Sequence, residues 1–173
     1  MHMTSTRFQT IKLLLLDVDG VLTDGSIAYT EDQTETKTFN VKDGLGIKML
    51  HQSGIKTGIV TGRSSPALLR RCRELGIQMI FDNVRDKGKV LAQIIDKTGL
   101  TSGEIAFIGD DLPDLPMLQK VGIGIAVADA HELVCEQADL ITENRGGHGA
   151  VREVCEMILE SKGIWPELLR QWT

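Results

Sequence analysis

The chain reads as an α/β fold, with helices packed on both faces of a central parallel sheet, and three features of the sequence predict it. The first is the run Leu13-Leu14-Leu15-Leu16, which feeds straight into Asp17-Val18-Asp19-Gly20. A continuous apolar run ending at acids and glycines is the pattern of a strand buried on both faces that reaches the rim of a sheet. The second is recurrence: short apolar runs at 55–60, 77–81, 105–108 and 123–127 alternate with segments of helical period. Such alternation defines strand–helix–strand units. The third is punctuation, with capping residues before the helical segments and glycines after them.

Taken in order, residues 1–10 are polar and are expected to be a loose N-terminus. Residues 25–41 alternate after the first strand: Ile27 and Tyr29, then Thr36, Thr38 and Asn40 opposite Lys37, Phe39 and Val41. With the polar Glu31-Asp32-Gln33 between, this predicts a β-hairpin insertion with a longer loop. Its few apolar residues cannot make a core, so it must lie against the main body or another subunit. Residues 44–53 read as a helix stopped by Gly54, and the strand at 55–60 leads to Thr61-Gly62-Arg63. Ser65 suits an N-cap, Pro66 the first helical position and Gly76 the position past the end, with Leu68, Leu69, Cys72 and Leu75 on one face.

The strand at 77–81 is followed by a helix from about Asp86, with Val90, Leu91, Ile94 and Ile95 inward and Gly99 as its stop. The strand at 105–108 again ends in acid, Gly109-Asp110-Asp111-Leu112-Pro113-Asp114. A short helix to Lys120, a strand at 123–127, a helix from about Ala130 and a short strand near Leu140 continue the alternation. The last long helix follows Gly146-Gly147-His148-Gly149 and turns Ala150, Val151, Val154, Cys155, Ile158 and Leu159 inward. The C-terminal tail, 163–173, holds Trp165 and Trp172, expected as packing anchors. No repeat, low-complexity stretch or linker interrupts residues 1–173, so a single domain is expected.

Composition narrows the function. The 173 residues are 42% hydrophobic and 25% charged, which is ordinary for one globular core. A net charge of -5 argues against nucleic acid, which requires a basic face. Three cysteines without CxxC spacing point to reduced thiols and a cytoplasmic protein. No segment approaches the ~18 apolar residues of a membrane span.

In open parallel sheets, ligands bind at the carboxyl ends of the strands. There the predicted strands deliver Asp17 and Asp19, then Thr61 and Gly62, then the approach to Lys87, then Asp110, Asp111 and Asp114. Two unit charges ~4 Å apart at an effective dielectric of ~20 repel by roughly 4 kcal/mol. Such acids are kept together where a cation neutralises them or one holds a proton, and for Asp17, Asp19 and Asp110 a divalent cation is the natural occupant. All-oxygen ligands with open positions suit Mg²⁺. Thr61 and Gly62, just ahead of the helix capped by Ser65, offer a hydroxyl and free N–H groups to an anion. Lys87 adds a compact positive charge.

Metal, anion cradle and lysine together describe phosphoryl transfer. No GxxxxGK[ST] loop exists, so a carboxylate is the simplest nucleophile. In this reading Asp17 attacks phosphorus to form an aspartyl-phosphate. Asp19 protonates the departing alcohol and then activates water.

These residues resemble a known family. Asp17-Val18-Asp19-Gly20-Val21-Leu22-Thr23-Asp24, Thr61-Gly62-Arg63, Lys87 and Gly109-Asp110-Asp111-Leu112-Pro113-Asp114, in that order, are similar to the four motifs of haloacid-dehalogenase-type phosphatases. The resemblance implies a three-layer Rossmann-like fold. It also implies Mg²⁺ on Asp17, Asp110 and the carbonyl of Asp19, phosphate on Thr61, Gly62 and Lys87, and auxiliary roles for Asp111 and Asp114.

Three further stretches are similar to a branch acting on ulosonate phosphates: Val41-Lys42-Asp43-Gly44-Leu45-Gly46-Ile47, Val127-Ala128-Asp129-Ala130-His131 and Gly146-Gly147-His148-Gly149-Ala150-Val151-Arg152-Glu153. That branch implies a sugar-phosphate substrate and a part in lipopolysaccharide precursor synthesis. Asp82-Asn83 and His148 depart from its usual residues. An eight-carbon sugar acid phosphorylated at carbon 8 is the leading expectation. A nine-carbon one phosphorylated at carbon 9 or a broad sugar-phosphate scope is the alternative, and a non-catalytic assembly module of a sugar-activating enzyme is a third, against which the intact motif set argues.

About twenty residues separate Asp24 from Leu45, too few for a folded cap domain. A site without a cap is open to water, so a neighbouring subunit is expected to close it. The resemblance implies a homotetramer whose hairpins associate. Arg63 and Lys42 are candidates for the substrate's carboxylate, and His148 for a further substrate contact. His51 and His131 carry no expected chemistry.

Overall fold

A computed structural model describes residues 6–32 and 34–170; Trp172, expected as a packing anchor, lies outside the described residues. In chain order the elements are β1 Leu13–Leu16, β2 Ala28–Tyr29, β3 Glu35–Thr36, α1 Val41–Gln52, β4 Lys56–Val60, α2 Pro66–Leu75, β5 Met79–Phe81 and α3 Lys87–Thr98. There follow β6 Ile105–Gly109, α4 Leu115–Leu118, β7 Ile123–Ala126, α5 Glu132–Gln137, β8 Leu140–Ile141, α6 Ala150–Ser161 and α7 Trp165–Leu169. Single 3₁₀ turns sit at Ser102–Glu104 and Leu112–Asp114.

Six strands pair in the order β5-β4-β1-β6-β7-β8, every pair parallel. β1 lies near the middle because the chain winds outward from it in one direction, returns, and winds in the other. The point of reversal falls between β1 and β6, where the crevice at the carboxyl ends is widest.

The four leucines of β1 explain why its sequence does not alternate in polarity. Leu14 and Leu16 join a core with Ile47 and Leu50 of α1, Leu68 and Cys72 of α2, and Val154 and Ile158 of α6. Leu13 and Leu15 join a second core with Leu91 and Ile94 of α3, Met117 of α4 and Val134 of α5. Side chains alternate across a strand, so a strand covered on both faces must be apolar at every position. All four are fully buried.

Helix punctuation follows the sequence closely. Ser65 Oγ accepts from Leu68 N at 3.2 Å, and Gly76 closes α2 with φ of 76°. Asp86 caps α3, and Gly99 ends it with φ of 69°. All six residues expected on the inner face of α6 are buried.

Three expectations are corrected. The helix expected over 44–53 begins at Val41, because the side chain of Asn40 accepts from Lys42 N at 2.8 Å. The period-two pattern had run Asn40 and Val41 into the hairpin. The hairpin itself is shorter than 25–41, pairing only Ala28 with Thr36 and Tyr29 with Glu35. Of the loose N-terminus expected over 1–10, residues 1–5 lie outside the described residues, while the part from Arg7 is anchored: Phe8 is buried, and Arg7 Nη1 lies 2.7 Å from Asp139 Oδ1. In the tail, Trp165 packs against the main core, with the Arg152 guanidinium 5.6 Å from its ring centre.

Candidate active site

Asp17 is the first residue past β1, and its N–H still donates to Ile108 O of β6 at 3.0 Å. Two strands therefore fix its backbone. Asp110 occupies the matching position past β6. Its N–H and that of Asp111 donate to Asp114 Oδ2 at 2.8 and 3.2 Å. Asp114 is thus the staple of the acidic loop, and it is buried. Lys87 opens α3 and is 5% exposed. Its Nζ lies 2.8 Å from Asp17 Oδ1 and 2.5 Å from Asp114 Oδ1.

Carboxylate oxygens of Asp17, Asp110 and Asp114 all lie within 4.8 Å of one another. Gly20 makes that approach possible. Its φ is +93°, and a Cβ there would fall 2.0 Å from Asp110 Oδ2. Only glycine gives both the conformation and the space. From behind, Gly146 leaves room for the same turn, since a Cβ on it would meet Gly20 O at 1.7 Å. Gly147 N donates to Val21 O at 2.9 Å, so the Gly-Gly-His-Gly stretch buttresses the turn after β1.

The charges are unbalanced toward the negative. Burial, with Asp114 adding to it and Lys87 opposing it, raises the Asp17 carboxyl to about 6. Burial, then Asp17 and Asp114, raises that of Asp110 to about 8. Burial alone would lower Lys87, but Asp17 and Asp114 outweigh it and hold the ammonium above its ordinary value. Acids that retain protons for want of positive charge, with oxygen donors alone, fit a hard divalent cation.

A cavity of about 390 Å³ opens over this cluster, within the range of small-molecule sites, lined among others by Asp17, Asp19, Thr61, Gly62, Arg63 and Lys87. Thr61 is held on both sides, its N–H donating to Phe81 O at 2.9 Å and its carbonyl accepting from Val84 N at 3.0 Å. Asp111 is exposed, and its Oδ1 accepts from Leu112 N at 2.8 Å as a cap.

Asp19 turns away from the acidic cluster. Its Oδ1 pairs with Lys37, while Oδ2 lies 3.8 Å from Arg63 Nε. Arg63 Nη2 donates to Glu35 Oε2 at 2.7 Å. Arg63 thus lines the cavity braced by a neighbour. Lys42 and His148 are not brought to this cavity. Lys42 is exposed on the first turn of α1, and His148 Nδ1 bonds Gly146 O at 2.8 Å. Sequence reasoning missed Lys37, Glu35 and Arg85. The available signal for the first was a lysine sharing a hairpin face with Phe39.

Fold and site define the class: a parallel-sheet hydrolase whose carboxylates and lysine meet at the point where strand order reverses. Residues 76–154 match the family of haloacid dehalogenase-like hydrolases. The 3-deoxy-D-manno-octulosonate 8-phosphate phosphatase KdsC of Salmonella typhi is 42% identical over 158 residues, 91% of this chain and 84% of the relative.

A crystal structure of the same phosphatase from Moraxella catarrhalis, in complex with magnesium, phosphate and a KDO molecule, superposes with a TM-score of 0.97. It is 44% identical and covers 99% of this chain and 100% of that one. The cobalt-bound Haemophilus influenzae enzyme gives 0.89 at 40% identity, covering 92% of this chain and 93% of that one. The chain therefore belongs to the haloacid dehalogenase-like hydrolases, in the group of the 3-deoxy-D-manno-octulosonate 8-phosphate phosphatases.

Proposed function

We propose that this chain is a Mg²⁺-dependent phosphatase that hydrolyses 3-deoxy-D-manno-octulosonate 8-phosphate to the free sugar acid and phosphate, a step in lipopolysaccharide precursor synthesis. The observation that carries the chemistry is the convergence of Asp17, Lys87 and Asp110 on one cavity at the switch point of the sheet. That the similar proteins are 3-deoxy-D-manno-octulosonate 8-phosphate phosphatases, one of them with KDO bound, supports the substrate.

Asp17, fixed between β1 and β6, is the nucleophile: its carboxylate oxygen bonds to phosphorus as the sugar oxygen departs. Asp19 gives that oxygen its proton, then takes one from the water that cleaves the aspartyl-phosphate. Lys87 holds Asp17 in place and offers its ammonium to the phosphoryl oxygens, with Thr61 and Gly62 as further donors. Asp17, Asp110 and the carbonyl of Asp19 are the groups that would hold Mg²⁺. When bound, the ion supplies the positive charge that the acidic cluster lacks.

The protein acts in the cytoplasm as a homotetramer that closes its own sites. Free cysteines support the first, and among the described residues no helix is long and apolar enough to cross a membrane. Ile27, Tyr29 and Val41, at and beside the hairpin, are 47%, 65% and 79% exposed, an apolar surface suited to a second copy.

Phosphate release from eight- and nine-carbon ulosonate phosphates, with and without Mg²⁺, tests the function. The eight-carbon ester should be preferred and turnover should require the metal. Preference for the nine-carbon ester would move the substrate assignment, and absence of turnover on either would remove the activity.

A further inference from the structure

We infer that Lys37 is a positioning residue for Asp19, holding the acid/base carboxylate through a closed ring of alternating charges. The inference rests on the phosphatase reading above and concerns how its second aspartate is aimed.

Asp19 sits on the turn after β1, and its side chain is 21% exposed. Strand ends hold Asp17 and Asp110; nothing comparable holds the Asp19 carboxylate. Its partners are Lys37 on Oδ1 and, at 3.8 Å, Arg63 on Oδ2. Lys37 comes from the residue just past β3, and its side chain is 2% exposed. An ammonium is buried so deeply only where acceptors surround it. Here it donates to Asp19 Oδ1 and forms an ion pair with Glu35 Oε1 at 3.2 Å.

Glu35 in turn binds Arg63 at 2.7 Å, and Arg63 returns to Asp19. Each carboxylate is gripped from two sides, so the ring selects one direction for Asp19. Lys37 is not among the groups lining the 390 Å³ cavity. It acts through Asp19 and does not touch the reacting atoms.

A general acid matters most when the departing oxygen is a poor leaving group, and its contribution is typically 10²–10⁴-fold. An alkoxide must be protonated as it leaves, Asp19 entering the step protonated and becoming the ring-held carboxylate as it gives up that proton, whereas p-nitrophenolate departs without a proton. The kcat/KM of Lys37→Gln on propyl phosphate and on p-nitrophenyl phosphate, both with Mg²⁺, therefore isolates the role. Neither ester carries a carboxylate or hydroxyl that Lys37 could meet. We expect propyl phosphate to lose about 30-fold or more while p-nitrophenyl phosphate stays within about threefold, and Lys37→Arg to recover most of the loss.

Equal losses on both esters would make Lys37 merely structural and overturn the inference. So would unchanged values on both with a loss confined to the sugar phosphate, which would make it a substrate contact. Should Lys37→Gln fail to fold, Glu35→Gln opens the ring while leaving Lys37 in place. The same selective loss, smaller in size, is then expected, and an equal loss on both esters again overturns it. A wild-type protein inactive on both esters would instead remove the phosphatase reading, and the positioning role with it.

Discussion

The two sides of the cavity are built from the same residue types and held in opposite ways. On the sheet side, Asp17, Asp110, Asp114 and Lys87 stand on strand ends and a helix start, and Asp17, Lys87 and Asp114 are nearly inaccessible. On the hairpin side, Asp19, Glu35, Lys37 and Arg63 are joined by ion pairs, and β2 and β3 are two residues each. A hairpin of that size has no stability of its own, so its ion pairs to the main body help to hold it. The sheet side fixes where the proposed nucleophile, Asp17, stands. The hairpin side sets where the proposed acid/base, Asp19, points, and its more exposed ion pairs are the ones that mutation or salt can adjust.

The largest expected effect breaks the sheet side directly. Asp17→Asn removes the proposed nucleophile and should lower kcat by at least about 10³-fold, read as phosphate release, with the fold intact by circular dichroism. Full activity would overturn the assignment. Gly20→Ala comes next. With φ at +93° and a Cβ 2.0 Å from Asp110 Oδ2, it must push the two acidic motifs apart. Weaker Mg²⁺ binding by calorimetry and a loss of about 100-fold in activity are expected. Wild-type metal affinity would show that the turn yields easily.

Lys87→Met sharpens the contrast in stability. Removing one partner of a buried ion cluster costs about 3–5 kcal/mol, whereas Arg63→Gln, from a side chain 44% exposed, should cost about 1 kcal/mol or less. Urea titration of both variants measures the difference, and equal costs would erase it.

The acidity of the cluster gives a pH test. Folded values of about 6 for Asp17 and about 8 for Asp110 lie above the ordinary 3.8. The folded state thus binds these protons more tightly than the unfolded chain. Their contribution is fully present below about pH 4. It is lost as pH rises through 6 and then 8. The melting temperature of metal-free protein should fall across that window, Mg²⁺ should raise it more at pH 8 than at pH 5, and Asp110→Asn should flatten the profile. A profile already flat in the wild type would contradict the charge imbalance.

Much of this was legible in the chain. Leu13–Leu16 announced a strand covered on both faces, and Ser65 with Gly76 and Asp86 with Gly99 bracketed their helices, because caps and apolar periods are local properties. Asp17, Lys87 and Asp110 could be nominated because parallel sheets deliver ligands at one edge. Asn40 as a helix cap was hidden, since a polar residue in an alternating stretch fits strand and cap alike.

What the sequence alone determined is the sheet, its layers and the residues at the strand ends, each the consequence of side-chain period and of short-range hydrogen bonding. Tertiary structure alone decided that Lys37 reaches Asp19 and that Lys42 and His148 stay away from this cavity. It also decided that Gly20 and Gly146 are glycines because other backbone and side chains occupy the space a Cβ would take. Contacts between residues eighteen to more than a hundred positions apart leave no periodic trace in the chain. They exist only once the core has packed and brought their segments together.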